Sequence, residues 1–157
     1  MKNTKNSYTK HSYNASVPDN KGAQQPSKDH AWLEFEGDSH EVLKGFPREP
    51  RGNLGHYLRL LQAGERPQGC GAVPGLEDVF ELRDQDERAW YRVLYLKRIG
   101  DVIHVLHCFE KKTNQIEKKD IRTARSRLAA VHARLIKEKR HAAKTEGAAR
   151  NKGQHTR

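Results

Sequence analysis

Four basic side chains stand where strands would deliver charge to a small region. Arg92 lies inside the run Trp90 to Leu96, which is otherwise apolar and aromatic. A free Arg among such neighbours is expensive unless it has a partner or serves a site. Glu81, or another carboxylate on a neighbouring strand, is one such partner; a bound anion is another. Arg83 follows Leu82 at the end of a second strand, where an ordinary edge cation is also common. Lys111 and Lys112 follow the run Val102 to Phe109. Strand alternation points them to opposite faces, so one can reach a ligand while the other is solvated. His107 sits two residues before Phe109 and could move a proton near neutral pH. A lone strand histidine is more often a hydrogen-bonded structural residue. Tyr91 and Tyr95 share a face and could stack bases or pack the core.

Arg and Lys arranged round a phosphodiester can cut RNA without a metal. The 2′-OH attacks the adjacent phosphate, giving a 2′,3′-cyclic phosphate and a 5′-OH. That reaction needs a base near the 2′-OH, positive charge on the phosphorane and an acid for the leaving oxygen. Arg forks two oxygens in a fixed plane, whereas Lys is a point charge that also titrates more readily. Neither C-x-x-C nor a helical H-x-x-x-H occurs, so no metal or other cofactor is expected.

Three strands are expected to hold these residues. Val79 to Arg83 alternates Phe80 and Leu82 against Val79, Glu81 and Arg83. Trp90 to Leu96 and Val102 to Phe109 are apolar on both faces, which suits the middle of a covered sheet. The turns Asp84 to Arg88 and Gly100-Asp101 are short, so these strands should pair antiparallel. Upstream, Trp32, Leu33 and Phe35 suit a first strand. Asp38 and Ser39 offer a cap for a short helix carrying Val42, Leu43 and Phe46. Pro47 suits the start of a second helix, along which Leu54, Tyr57, Leu58 and Leu61 recur at helical spacing. Ile121, Ala124, Leu128, Val131 and Leu135 step by 3, 4, 3 and 4, the stripe of a last helix. Asn114 with Glu117 resembles a capping box before it, and Arg122 and Arg125 off the stripe are candidate RNA contacts. The expectation is an α+β domain, an antiparallel sheet with two N-terminal helices and one C-terminal helix, in the order β-α-α-β-β-β-α.

The chain has 157 residues, 34% of them hydrophobic and 32% charged, with a mean hydropathy of −1.00. One domain with tails fits that length and composition. Residues 1–29 are polar and basic with almost no apolar side chains, and are expected to be disordered. The domain should span residues 30–141, and residues 142–157 read as a second disordered basic tail. The net charge is +10. It is uneven: +3 over residues 1–30, −4 over 31–110 and +11 over 111–157, the last from 15 basic and 4 acidic side chains. A polyanion partner is one reading of that end, and a solvated basic tail is the other. No apolar run approaches the roughly 20 residues that span a bilayer. The N-terminal segment also lacks the apolar core of a secretory signal. A cytoplasmic protein with reduced thiols at Cys70 and Cys108 is therefore expected.

From Phe35 to Leu135 the chain resembles the phage-derived HigB-like toxins of the RelE/ParE superfamily. Gly37-Asp38-Ser39, Phe46-Pro47, Leu54-Gly55 and Leu58-Arg59-Leu60-Leu61-Gln62 carry the first half of the likeness. Val79-Phe80-Glu81-Leu82-Arg83, Tyr91-Arg92-Val93-Leu94-Tyr95 and Val105 to Thr113 carry the second, with Asp120-Ile121, Ala124 and Arg127 completing it. Each string is weak alone, but in this order with short gaps they are specific. Three positions depart from the pattern: Pro50 and Gly52 stand in the second helix, Ile116-Glu117 stand where Thr-Pro is usual, and no lysine occurs around Gly71 to Val73.

The resemblance implies the toxin of a type II toxin–antitoxin pair, acting on ribosome and mRNA as an endoribonuclease that blocks translation. It implies a cognate antitoxin, often a helix-turn-helix protein. It aligns a catalytic Arg with Arg92, supports Arg83, and puts Lys112 ahead of Lys111 as a further catalytic residue; His107 stays a catalytic candidate on its own chemistry. The related ParE branch offers a different class, a non-enzymatic inhibitor of DNA gyrase. A plain basic nucleic-acid-binding protein is a third reading.

Overall fold

The computed structural model describes residues 30–152. The N-terminal extension, residues 1–29, and residues 153–157 lie outside the described residues. The elements in chain order are β1 (Trp32–Phe35), α1 (Ser39–Gly45), α2 (Arg48–Gln62) and β2 (Gly71–Ala72). They continue with β3 (Val79–Gln85), β4 (Trp90–Ile99), β5 (Val102–Lys111) and α3 (Lys118–Lys152). The five strands form one sheet in the order β1-β5-β4-β3-β2. β3, β4 and β5 pair antiparallel through short turns, as expected. In the β3–β4 turn the Asp86 carboxylate accepts the backbone N–H groups of Arg88 and Ala89 at 2.8 and 2.9 Å. In the β4–β5 turn Gly100 supplies a positive φ of 58°.

Two details depart from the sequence reading. The two-residue β2 forms inside the loop from Gly64 to Pro74, rich in glycine and proline, and pairs with β3. β1 lies parallel to β5, with Leu33 opposite Ile103 and Phe35 opposite Val105. A parallel pair needs a long crossover, and here everything from α1 to β4 intervenes.

The core has two halves because the central strands are apolar on both faces. On one face Tyr91, Val93, Tyr95, Val105 and Cys108 pack against Leu43 of α1 and Leu54 and Leu58 of α2. On the other, Leu94, Leu96, Leu106 and Phe109 meet Ala124, Leu128 and Val131, the expected stripe of α3. Pro50 and Gly52 do not break α2. Pro50 lies in the first turn, where backbone N–H groups have no intrahelical acceptor anyway, and it is buried. Pro47, expected at the first helical position, stands at the N-cap of α2, one residue before the helix begins at Arg48.

α1 is capped by its tertiary setting rather than by its own side chains. Asp38 occupies the N-cap without a side-chain capping bond; its carboxylate binds Arg127 Nη2 of α3 at 2.7 Å. That hydrogen bond holds the Asp38 carboxyl below its ordinary value. Arg127 Nη1 donates to the Leu106 carbonyl at 2.9 Å. The β4–β5 register shifts beside Leu106, because Leu94 pairs with His107 and Tyr95 with Val105. Gly37 has φ +57°, and a Cβ there would stand 2.6 Å from the Arg127 guanidinium. Ser39 donates its hydroxyl to the Val105 carbonyl at 3.2 Å. The Gly37-Asp38-Ser39 string thus forms a clasp joining α1, β5 and α3.

α3 runs past the boundary expected near residue 141. It is helical to Lys152, so the segment read as an unstructured tail is helix as far as the description extends. Among the described residues no helix is long and apolar enough to cross a membrane.

Candidate active site

Strand register arranges one end of the α3-covered sheet face as three rows. Glu81, Leu94 and His107 lie opposite one another across β3, β4 and β5; Arg83, Arg92 and Phe109 form the next row. Gln85, Trp90 and Lys111 form the last. Alternation along each strand puts all nine on one side. Arg83, Arg92 and Lys111 are therefore neighbours on three adjacent strands, while Leu94 and Phe109 join the apolar cluster beneath α3.

Arg92 is 1% exposed. Its Nη1 donates to the Glu81 carboxylate, and its Nη2 donates to both the backbone carbonyl and, at 2.7 Å, the side-chain oxygen of Asn114. Its Cζ lies 5.8 Å from the centre of the Trp90 ring, a cation–π contact. Arg92 Nε is buried without a hydrogen-bond partner among the described residues. The Glu81 ion pair weighed in the sequence reading is thus present. Asn114, read as a helix cap, closes over the guanidinium instead. The first hydrogen bonds of α3 go to the Glu117 carbonyl, from the N–H groups of Asp120 and Ile121.

Arg83 leans on the same carboxylate at 3.9 Å and keeps 46% of its side chain exposed. Lys111 is buried and pairs with Glu117, which also takes Lys119 at 3.2 Å. Hydrogen bonds from Lys111 and then Lys119 hold the Glu117 carboxyl below its ordinary value. Lys112, the first residue after β5, is exposed and reaches the Arg88 carbonyl at 3.3 Å. Of the lysine pair, Lys111 is the one that shares the face of Arg92. His107 Nε2 meets Asp120 Oδ1 at 3.0 Å, and its ring stacks on Phe109 at 5.0 Å. Its Nδ1 lies 3.5 Å from Arg127 Nη1. Both ring nitrogens face α3, which makes His107 a strut between β5 and α3.

The base-stacking role read for Tyr91 and Tyr95 does not survive the fold. They do share a face, but it is the one covered by α1 and α2. Tyr91 is 2% exposed, packs on Phe46 and donates to Asp86 at 3.0 Å. Tyr95 stacks on Phe80, with its hydroxyl 2.9 Å from Cys70 Sγ. Burial, and then these hydroxyl partners, push both phenols above their ordinary range. Burial likewise pushes the Cys108 thiol up, which leaves it unreactive. Arg122 and Arg125 are exposed on α3, and Arg125 reaches the Gly75 carbonyl at 3.4 Å.

A separate knot lies further along the same face. Glu34, Glu36 and His104 offer donor atoms within 4.8 Å of one another. Arg134 already occupies it, with Nη2 2.6 Å from Glu36 Oε1, while His104 Nδ1 lies 3.1 Å from the same oxygen. Burial raises the Glu36 carboxyl, but the hydrogen bonds from His104 and Arg134 outweigh it and hold the group below its ordinary value. The donors already have a cation, so the arrangement is a structural ion-pair cluster.

Residues 41–129 match a family model described as "Phage derived protein Gp49-like (DUF891)". The chain belongs to this Gp49-like family. Gp49-like proteins are of the RelE/HigB toxin type, in agreement with the resemblance carried by the sequence strings. The matched stretch contains the whole of β3, β4 and β5, and so all three rows of the site. A solved structure, a double arginine-to-alanine mutant of the E. coli toxin RelE in the free state, is similar at 16% identity with a TM-score of 0.42. That likeness covers 50% of this chain and 81% of that one. No curated protein matches the sequence.

Proposed function

We propose that this Gp49-like toxin is a metal-independent endoribonuclease that cuts mRNA on the ribosome, neutralised by a cognate antitoxin. The observation that carries the reading is the set of three cations, Arg83, Arg92 and Lys111, side by side on adjacent strands of one sheet face. A phosphodiester placed over them gains charge stabilisation where the phosphorane develops. Arg92 forks the non-bridging oxygens, exchanging the oxygens of Glu81 and Asn114 for those of phosphate. Lys111 leaves the exposed Glu117 for the same phosphate, where its ammonium shares the charge and protonates the departing 5′-oxygen, while water takes the 2′-OH proton. Arg83, the most open of the three, makes first contact. The products are a 2′,3′-cyclic phosphate and a 5′-OH.

One observation favours a second reading, a non-enzymatic inhibitor of DNA gyrase. Arg92 is buried, and Glu81 and Asn114 already engage its terminal nitrogens. Induced expression in a bacterial host separates the two. The nuclease stops translation first, with cut transcripts on the ribosomes. A stall of DNA synthesis with intact mRNA would establish the gyrase reading instead.

A further inference from the structure

α3 has two faces, and only one is explained by the fold. Its buried stripe ends at Leu135; Ile136 is 52% exposed. Residues 136–150 are all exposed, and residues 136–152 extend the helix by about 25 Å at ~1.5 Å per residue. A helix polar all round gains nothing from packing and is marginal alone in water. A partner is the physical reason to keep one.

Three of the five cations in residues 136–150 share one face. Lys137, Arg140 and Lys144 follow one another by 3 and 4, so they lie on one side. The same spacing, continued backwards, passes through Ala133, Ala129 and Ser126 to Arg122 and Lys119, all exposed. This series runs two positions ahead of the buried stripe, on the opposite side of the helix. Glu138 and Glu146 fall outside it. Among the described residues no carboxylate pairs with Lys137, Arg140 or Lys144. Small side chains between two cationic groups let a backbone approach closely. Arg122 and Arg140 stand about 27 Å apart along the axis at ~1.5 Å per residue.

We infer that the outer face of α3 is a docking surface for an RNA phosphate backbone, separate from the cleavage site and reaching beyond it. The phosphate contact rests on this row of cations, which no acidic side chain interrupts. The choice of RNA over DNA rests on the proposed cleavage reading, because Lys119 shares Glu117 with Lys111 and so lies at the site's edge.

The test compares two matched pairs of substitutions in the full chain. Arg140→Gln/Lys144→Gln removes one Arg and one Lys from the face. Lys139→Gln/Arg150→Gln removes the same charges from outside it. Gln keeps helix propensity, and circular dichroism confirms the helix in both. The probe is a short 2′-O-methyl RNA hairpin, which a transesterifying enzyme cannot cut. The readout is the slope of log K against log salt. Loss of two phosphate contacts should reduce the slope by about 1.4–1.8 for the first pair, and by less than about 0.5 for the second. Equal reductions for the two pairs would overturn the proposal, as would none for either. Polyglutamate that competes as well as RNA at equal charge would assign the surface to an acidic protein and overturn it too. A DNA hairpin bound as tightly as the RNA would overturn the choice of RNA and leave the phosphate surface standing.

Discussion

Arg92 was legible in the sequence because it breaks an apolar strand, and so was its alternative partner, Glu81. Its other partner was hidden. Asn114 sits three residues before Glu117 and mimics a capping box, but the chain leaving β5 turns back over the sheet and brings it to the guanidinium. The sequence reading puts Lys112 ahead of Lys111, but alternation shows only that they diverge, not which face is which, and the fold turns Lys111 toward Arg92 instead. Lys111→Ala should lower cleavage by about 10²–10³, the loss typical of one oriented charge at a developing anion. It should leave the thermal melt nearly unchanged, because the partner Glu117 is half-exposed and resolvates. Lys112→Ala should be much milder. Arg92→Lys should not restore cleavage, because one ammonium cannot bridge Glu81 and Asn114 as the fork does. Arg92→Gln leaves Glu81 short of a partner and should cost about 1–3 kcal/mol in a thermal melt, so its activity is read only where the protein is folded. Tyr91→Phe removes one hydrogen bond to Asp86. It should cost about 0.5–1.5 kcal/mol with cleavage unchanged, as befits a core residue rather than an RNA platform.

Among the elements, β4 and β5 were the clearest in the sequence. Their two-sided apolar character required a cover on each face, and α1 with α2 on one side and α3 on the other supply it. β2 was not legible, since Gly71 and Ala72 have no strand signal and pair only because β3 offers an edge. The parallel direction of β1 was equally hidden, for it depends on where the chain goes after Phe35. The end of α3 was misread for a physical reason: without an apolar stripe, residues 142–152 look like a tail. The Glu36–His104–Arg134 cluster ties β1 and β5 to α3 and should be visible as pH dependence. The Glu36 carboxyl is held below its ordinary 4.5 in the folded protein. Its contribution is therefore complete above that value and is lost as pH falls through the lower folded one. The melting temperature should hold steady from neutrality down to about pH 5 and fall below it. Glu36→Gln should lower the plateau and flatten the fall; an unchanged slope would remove the cluster from the stability account.

For the molecule as a whole, the fold divides labour along one helix. The first turns of α3 close over the basic rows, its middle seals the sheet, and its last part is free of the core. Removing residues 136–157 should leave the melt of the domain nearly unchanged, since the buried stripe ends before Ile136, while RNA affinity at low salt falls. The central claim is that Arg83, Arg92 and Lys111 together cut RNA by internal attack. It is tested most directly with purified protein, programmed ribosomes and an end-labelled mRNA, reading the 3′ ends of the fragments. The natural protein should leave 2′,3′-cyclic phosphate ends, and folded Lys111→Ala should cut about 10²–10³ more slowly. Full-rate cleavage by a folded Lys111→Ala/Arg92→Gln double variant, or fragments ending in a plain 3′-OH, would contradict it.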